Sequence, residues 1–167
     1  HPEILPILRY LAVQNRTHGF FDCLRISTDG RHLDRDSIEA MAGVSVVWEL
    51  DLDRGEGAGM DLLEEVRDPC HRVVAFVRVR EGLDVMDIHR RWPELPVVMG
   101  RRPSEGDALW FRRVDADHFR ENAKSRKLLE SAAEILGVPV DVGDESRPRR
   151  CRAPERTPVI SWDGKIV

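Results

Sequence analysis

Four stretches rich in valine and other apolar residues begin near residues 20, 44, 72 and 96, roughly every 25 residues, and each gap carries a helical pattern. A chain that alternates strand and helix in this way builds parallel strands joined by right-handed crossovers. The strands are Phe20 to Thr28, Val44 to Leu52, Arg72 to Val79 and Pro96 to Gly100. Their nearly continuous apolar character fits a sheet covered on both faces. Open doubly wound sheets and closed barrels share the pattern, so periodicity alone does not choose between them.

The helices are read from their spacing and stops. Ile4, Ile7, Leu8 and Leu11 share one face, with Pro2 tolerated in the first turn and a break over Asn15 to Gly19. Asp34 or Asp36 caps a helix through Met41, stopped by Gly43. Gly55, Gly57 and Gly59 form a loop before a short helix from Asp61 to Arg67, broken by Asp68-Pro69. A further helix runs from Asp84 to Arg91. After Gly100 the rhythm changes. Arg101 to Asp107 is a polar loop, Ala108 to Val114 a short extended piece, and Asp117 to Leu136 the longest helix, with Gly137 as its stop. Residues 138–158 are linker-like, and Pro158 to Val167 reads as a hairpin turned by Asp163-Gly164.

Composition narrows the class. At 167 residues the chain is one domain or one with an appendage. With 41% apolar and 34% charged residues it can bury a core and stay in solution. The longest clean apolar run, Val73 to Val77, is far short of the ~20 residues that span a bilayer, and nothing at the N-terminus reads as a signal peptide. These features exclude a membrane partner and point to the cytoplasm. A net charge of -4 excludes a general nucleic-acid binder. Cys23, Cys70 and Cys151 are too few and too scattered for a disulfide framework or a self-contained metal site. The missing initiator Met and the stop at Lys165-Ile166-Val167, within a strand pattern, suggest a piece of a longer protein. The 23 Arg against 3 Lys are read as coding bias.

Three segments, in order, resemble radical S-adenosylmethionine enzymes of the SPASM type. The first is His1-Pro-Glu-Ile-Leu-Pro-Ile-Leu. The second is Ile26-Ser-Thr-Asp-Gly30 with Leu33-Asp34, followed by Ala42-Gly-Val44 entering a strand that ends Leu50-Asp51. The third is Cys151, twelve residues, then Gly164. The Cys-x3-Cys-x2-Cys loop that holds the family's catalytic cluster is absent and would precede His1. The resemblance implies the C-terminal part of a partial TIM barrel of parallel βα repeats over residues 1–114, a helix and linker over 115–150, and the start of a SPASM-like domain over 151–167.

The same resemblance implies S-adenosylmethionine as cofactor, a 4Fe–4S cluster on the missing N-terminal motif, and an auxiliary 4Fe–4S cluster beginning at Cys151. It implies a peptide or small-molecule substrate and an electron donor such as flavodoxin or ferredoxin. Thr28 and Asp51 end strands where the family contacts the ligand, as does Glu49, which stands where the family often has Ser and can accept from both ribose hydroxyls. Met99 falls near the family's adenine contact, with core filling as its plainer role. Arg78 ends the third strand, where an arginine can clamp a carboxylate in two parallel bonds.

Other features read more simply. Cys23 and Cys70 pack in the core. Asp51 and Asp53 read equally well as solvated loop residues, and the arginines around Cys151 read as part of a solvated linker. Gly55, Gly57 and Gly59 lack the spacing of a dinucleotide fingerprint. Two rivals remain: a cofactor-biosynthesis enzyme similar to the molybdenum-cofactor cyclase, and a non-catalytic α/β binding or regulatory module. The segment alone is expected to be inactive.

Overall fold

The computed structural model of the chain describes residues 4–113 and 123–141. The order of elements is α1 (Ile4–His18), β1 (Leu24–Thr28), α2 (Arg35–Glu39), β2 (Val46–Asp51), α3 (Leu52–Gly55), α4 (Met60–Val66), β3 (His71–Val79), α5 (Val85–Arg91), β4 (Val97–Gly100), β5 (Ala108–Arg113), α6 (Ala123–Leu136) and β6 (Val140–Asp141). The expected βα alternation is present. Among the described residues, six strands form one all-parallel sheet in the order β1-β2-β3-β5-β4-β6.

Local chemistry sets the boundaries. Asp34 caps α2 by accepting the Ser37 N–H at 2.8 Å, and Asp84 caps α5 by accepting the Asp87 N–H at 2.9 Å. α1 runs through the break expected at Asn15 and stops only at Gly19, whose N–H donates to the Asn15 carbonyl. The Asn15 side chain accepts the Phe21 N–H at 2.7 Å, which holds the following residues off the sheet. β1 therefore starts at Leu24 instead of Phe20. β5, read from sequence as a short extended piece, is a six-residue strand. β6 lies inside the stretch read as linker and pairs with β4 through Met99 and Val140.

The described helices all lie on one face. The larger core joins Leu8 and Ala12 of α1, Ile38 of α2, Met60 and Leu63 of α4, Val85 of α5, and Leu129, Ala132 and Ala133 of α6 to one side of the strands. That side includes Val46, Trp48, Leu50, Val73, Val77, Met99, Leu109 and Phe111. Each large side chain fully buried there contributes about 1.5–3 kcal/mol. The opposite face carries a smaller cluster of Val47, Val74, Phe76 and Trp110, and none of its buried members is helical. Residues on both faces of β2 and β3 are buried, as their continuous apolar character leads one to expect. The strands are apolar on both sides, yet among the described residues helices cover only one.

Strand order explains the asymmetry. From β1 to β4 the chain moves across the sheet in one direction, and right-handed crossovers then place every helix on the same side. β5 turns back to lie between β3 and β4. A right-handed connection in the reverse direction belongs on the opposite face. The 101–107 loop takes that route. Arg102 reaches Glu49 and stacks over Trp110, and the Ser104 carbonyl accepts from Arg72 at 2.9 Å. Asp107 accepts the Val73 N–H at 2.8 Å. β6 moves forward again, and α6 returns to the helical face. Among the described residues, no helix is long and apolar enough to cross a membrane.

Candidate functional site

Because side chains alternate across a strand, the register lays out the helix-free face in rows. Arg25, Val47 and Arg72 form one row across β1, β2 and β3. Ser27, Glu49, Val74 and Ala108 form the next, and Asp51, Phe76, Trp110 and Val98 the third. Arg78 and Arg112 end β3 and β5 side by side. The first rows are nearest the amino ends of the strands and the last nearest the carboxyl ends, where parallel sheets hold ligands.

Glu49 is 4% exposed. A lone carboxylate so buried would be costly, and two guanidinium groups meet it. Arg25 donates to Oε1 at 2.9 Å and Arg102 to Oε2 at 2.8 Å. At the strand ends, Asp51 and Asp53 share one partner. Arg78 Nη1 lies 3.2 Å from Asp51 Oδ2 and 3.0 Å from Asp53 Oδ2. Burial opposes the charged guanidinium of Arg78, but its bonds to Asp51 and Asp53 outweigh that and raise its pKa. Asp53 Oδ1 is buried without a hydrogen-bond partner. Below these groups lies an aromatic floor. The Phe76 and Trp110 rings stand 5.9 Å apart, and Arg112 sits 4.7 Å from the Phe76 centroid.

Three of the residues singled out in sequence thus converge: Glu49, Asp51 and Arg78 share the helix-free face. Thr28 and Met99 lie elsewhere. Thr28 alternates with Ser27 and points away from Glu49, and its hydroxyl accepts the Gly30 N–H at 3.1 Å. Met99 is 1% exposed and packs in the helix-side core. Cys151, the hairpin and the SPASM-like segment lie outside the described residues. Among the described residues, no three His, Cys, Asp or Glu side chains stand together to hold a metal ion.

Two simpler readings need correction. Cys70 is exposed in the turn before β3, not packed in the core, because its N–H is drawn to Asp68 Oδ1 at 2.8 Å. The adjacent Asp68 carboxylate raises the thiol pKa. Asp53 is buried against Arg78 and not solvated, because the one-turn α3 folds it back over β3. The glycine loop has a packing role. A Cβ on Gly55 would lie 1.7 Å from the Asp29 carbonyl oxygen, and one on Gly30 would lie 1.7 Å from that of Ala58. The two loops touch backbone to backbone, which only glycine permits.

Sequence reasoning missed Arg25, Arg102, Phe76 and Trp110. Arg25 left one signal: a charge between Leu24 and Ile26 inside a strand marks an outward-facing position. Arg102 left none, because its place depends on a crossover that the sequence does not announce. No protein-family model matches the chain, and no curated protein or solved structure does.

Proposed function

We propose that the chain is part of a radical S-adenosylmethionine enzyme of the SPASM type, and that the carboxyl ends of β2 and β3 hold the nucleoside part of the cofactor. The observation that carries this reading is the buried, partnerless Asp53 Oδ1 beside Asp51 and Arg78. A buried acceptor without a donor is costly, and a ribose hydroxyl or an ammonium group supplies the donor it lacks. Arg78 fixes both carboxylates so that this acceptor stays in place. Glu49 sits one row below, on the same face. The bound cofactor would supply the radical chemistry, and these residues would orient it. Substrate, electron donor and clusters follow from the resemblance quoted above.

The test is the full-length gene product, reconstituted anaerobically with iron and sulfide and assayed for 5′-deoxyadenosine with S-adenosylmethionine and a reductant. The expected result is a brown cluster chromophore and product formation, with D53N weakening cofactor binding about tenfold. A full-length protein with neither cluster nor product sinks the proposal. A second reading, an α/β binding module without redox chemistry, draws on the arginine partners of Glu49, Asp51 and Asp53, which suit a structural network. The same assay decides between the two.

A further inference from the structure

Glu49 is almost enclosed, but the arginines that meet it are not. The Arg25 side chain is 34% exposed and that of Arg102 is 48% exposed, against 5% for Glu49. Each guanidinium uses one nitrogen on the carboxylate, Nη1 of Arg25 and Nη2 of Arg102. A guanidinium carries five N–H donors, so most of those on each group are left over. The two groups come from different parts of the chain, one from β1 and one from the loop after β4. A shared buried anion holds them at a fixed separation. This removes much of the side-chain entropy that an arginine otherwise loses on gripping a ligand.

The charge balance points the same way. Over the two rows that contain Val47 and Glu49, Arg25, Arg72 and Arg102 face a single carboxylate. Arg72 bonds to the Ser104 carbonyl, a neutral acceptor. The excess is positive, and although Val47, Glu49 and Val74 beneath are buried, the Arg25 and Arg102 side chains reach solvent. Ser27, in register with Glu49 on the edge strand β1, is exposed and offers a hydroxyl. Trp110 lies under Arg102, 5.7 Å from guanidinium carbon to ring centroid, and keeps that side chain against the sheet.

We infer that Arg25, Arg102 and Ser27 form an oxyanion site on the helix-free face, taking a phosphate or carboxylate group, with Glu49 as the buried positioning residue that holds the two guanidinium groups apart. Glu49 does not touch the ligand. It accepts from both arginines and leaves their outer N–H groups to grip two oxygens of the anion. The site lies toward the middle of the strands, one row from the Asp51–Asp53–Arg78 cluster, and does not depend on the cofactor reading.

The experiment titrates the 167-residue chain, without iron or S-adenosylmethionine, with inorganic phosphate and, separately, with succinate. Binding is followed by calorimetry and by the arginine side-chain signals in nitrogen-15 NMR spectra. Saturable binding of either probe is expected, and the tighter one identifies the source of the oxyanion. R102Q and R25Q should each weaken it about tenfold. R102Q also takes one of two guanidinium partners from buried Glu49, so its urea midpoint should fall, and its binding is read on protein whose NMR spectrum shows it folded. E49Q removes a negative charge from among the arginines, so simple charge attraction predicts tighter binding. The positioning role predicts the reverse: weaker binding, with the Arg25 and Arg102 signals already merged with those of exposed arginines before any probe is added. Failure of both probes to saturate, or binding indifferent to R25Q and R102Q, overturns the site. Tighter binding by E49Q overturns the role of Glu49. Cluster formation and 5′-deoxyadenosine are not read in this experiment, so the two proposals fail separately.

Discussion

Arg78 reaches Asp53 Oδ2 twice, with its backbone N–H at 3.0 Å and with its guanidinium at 3.0 Å. One oxygen thus ties the start of α3 to both the main chain and the side chain of β3. The same guanidinium also holds Asp51, whose other cationic partner is the exposed Arg54 at 3.8 Å.

R78A should therefore destabilise the fold by about 3–5 kcal/mol, because it strips Asp53 of its cation and leaves Asp51 only the exposed Arg54. R78K, which keeps the charge but cannot present a planar fork, should lose less. Urea denaturation of the three proteins measures this. A loss under about 1 kcal/mol for R78A would show that solvent already satisfies Asp51 and Asp53.

The touching loops make a second prediction. G55A and G30A each require the backbone of the facing loop to move, since the new Cβ would lie 1.7 Å from a carbonyl oxygen. Both should fold poorly or melt far below the parent. G43A is the control. Gly43, like Gly30 but unlike Gly55, has a positive φ, of 74°, but nothing lies within 4 Å of an added Cβ, so only the backbone cost of about 1–2 kcal/mol applies. Equal effects at the three sites would refute the close approach.

Acid should weaken the turn before β3. Asp68 accepts the Cys70 N–H at 2.8 Å and the Gly43 N–H at 3.3 Å. The Cys70 hydrogen bond is the chief cause of its lowered pKa, with smaller help from Gly43 and the nearby His71. A folded-state pKa below the unfolded value of about 3.9 gives stability that is present above that pH. It is lost as the pH falls through the folded value. D68N should be less stable than the parent at neutral pH, and the two urea midpoints should converge in acid. A gap that widens in acid would contradict the sign.

Met99 offers a test of which face matters. It belongs to the helix-side core, so M99A should cost about 2–5 kcal/mol and M99L under about 1.5. M99L should leave phosphate and S-adenosylmethionine binding as in the parent. A binding loss in M99L without a stability loss would place the ligand on the helical face.

The sequence carried the alternation of strand and helix because apolar spacing and stop residues are local signals. Asp34, Asp84 and Gly19 mark element ends as their chemistry dictates. The place of β5 was not legible. Its residues Ala108 to Arg113 declare a strand, but pairing depends on which edge is open when the chain turns back, and no local pattern encodes that. The site was half legible for the same reason. Glu49, Asp51 and Arg78 stand at strand ends, where position alone suggests a role. Arg25 and Arg102 acquire theirs only through strand register and the 101–107 crossover.

β5 pairs with β3 through six residue pairs on one side and with β4 through three on the other, while β3 and β4 share no ladder. A ribosome releasing this chain delivers β3 and β4 before the strand that joins them. Until Ala108 to Arg113 emerge, the nine residues of β3 present an unpaired and strongly apolar edge. The most exposed moment in the life of this protein thus falls in the interval between those two strands. A chaperone that acts on it should bind chains stalled between Gly100 and Ala108 more tightly than chains stalled past Arg113.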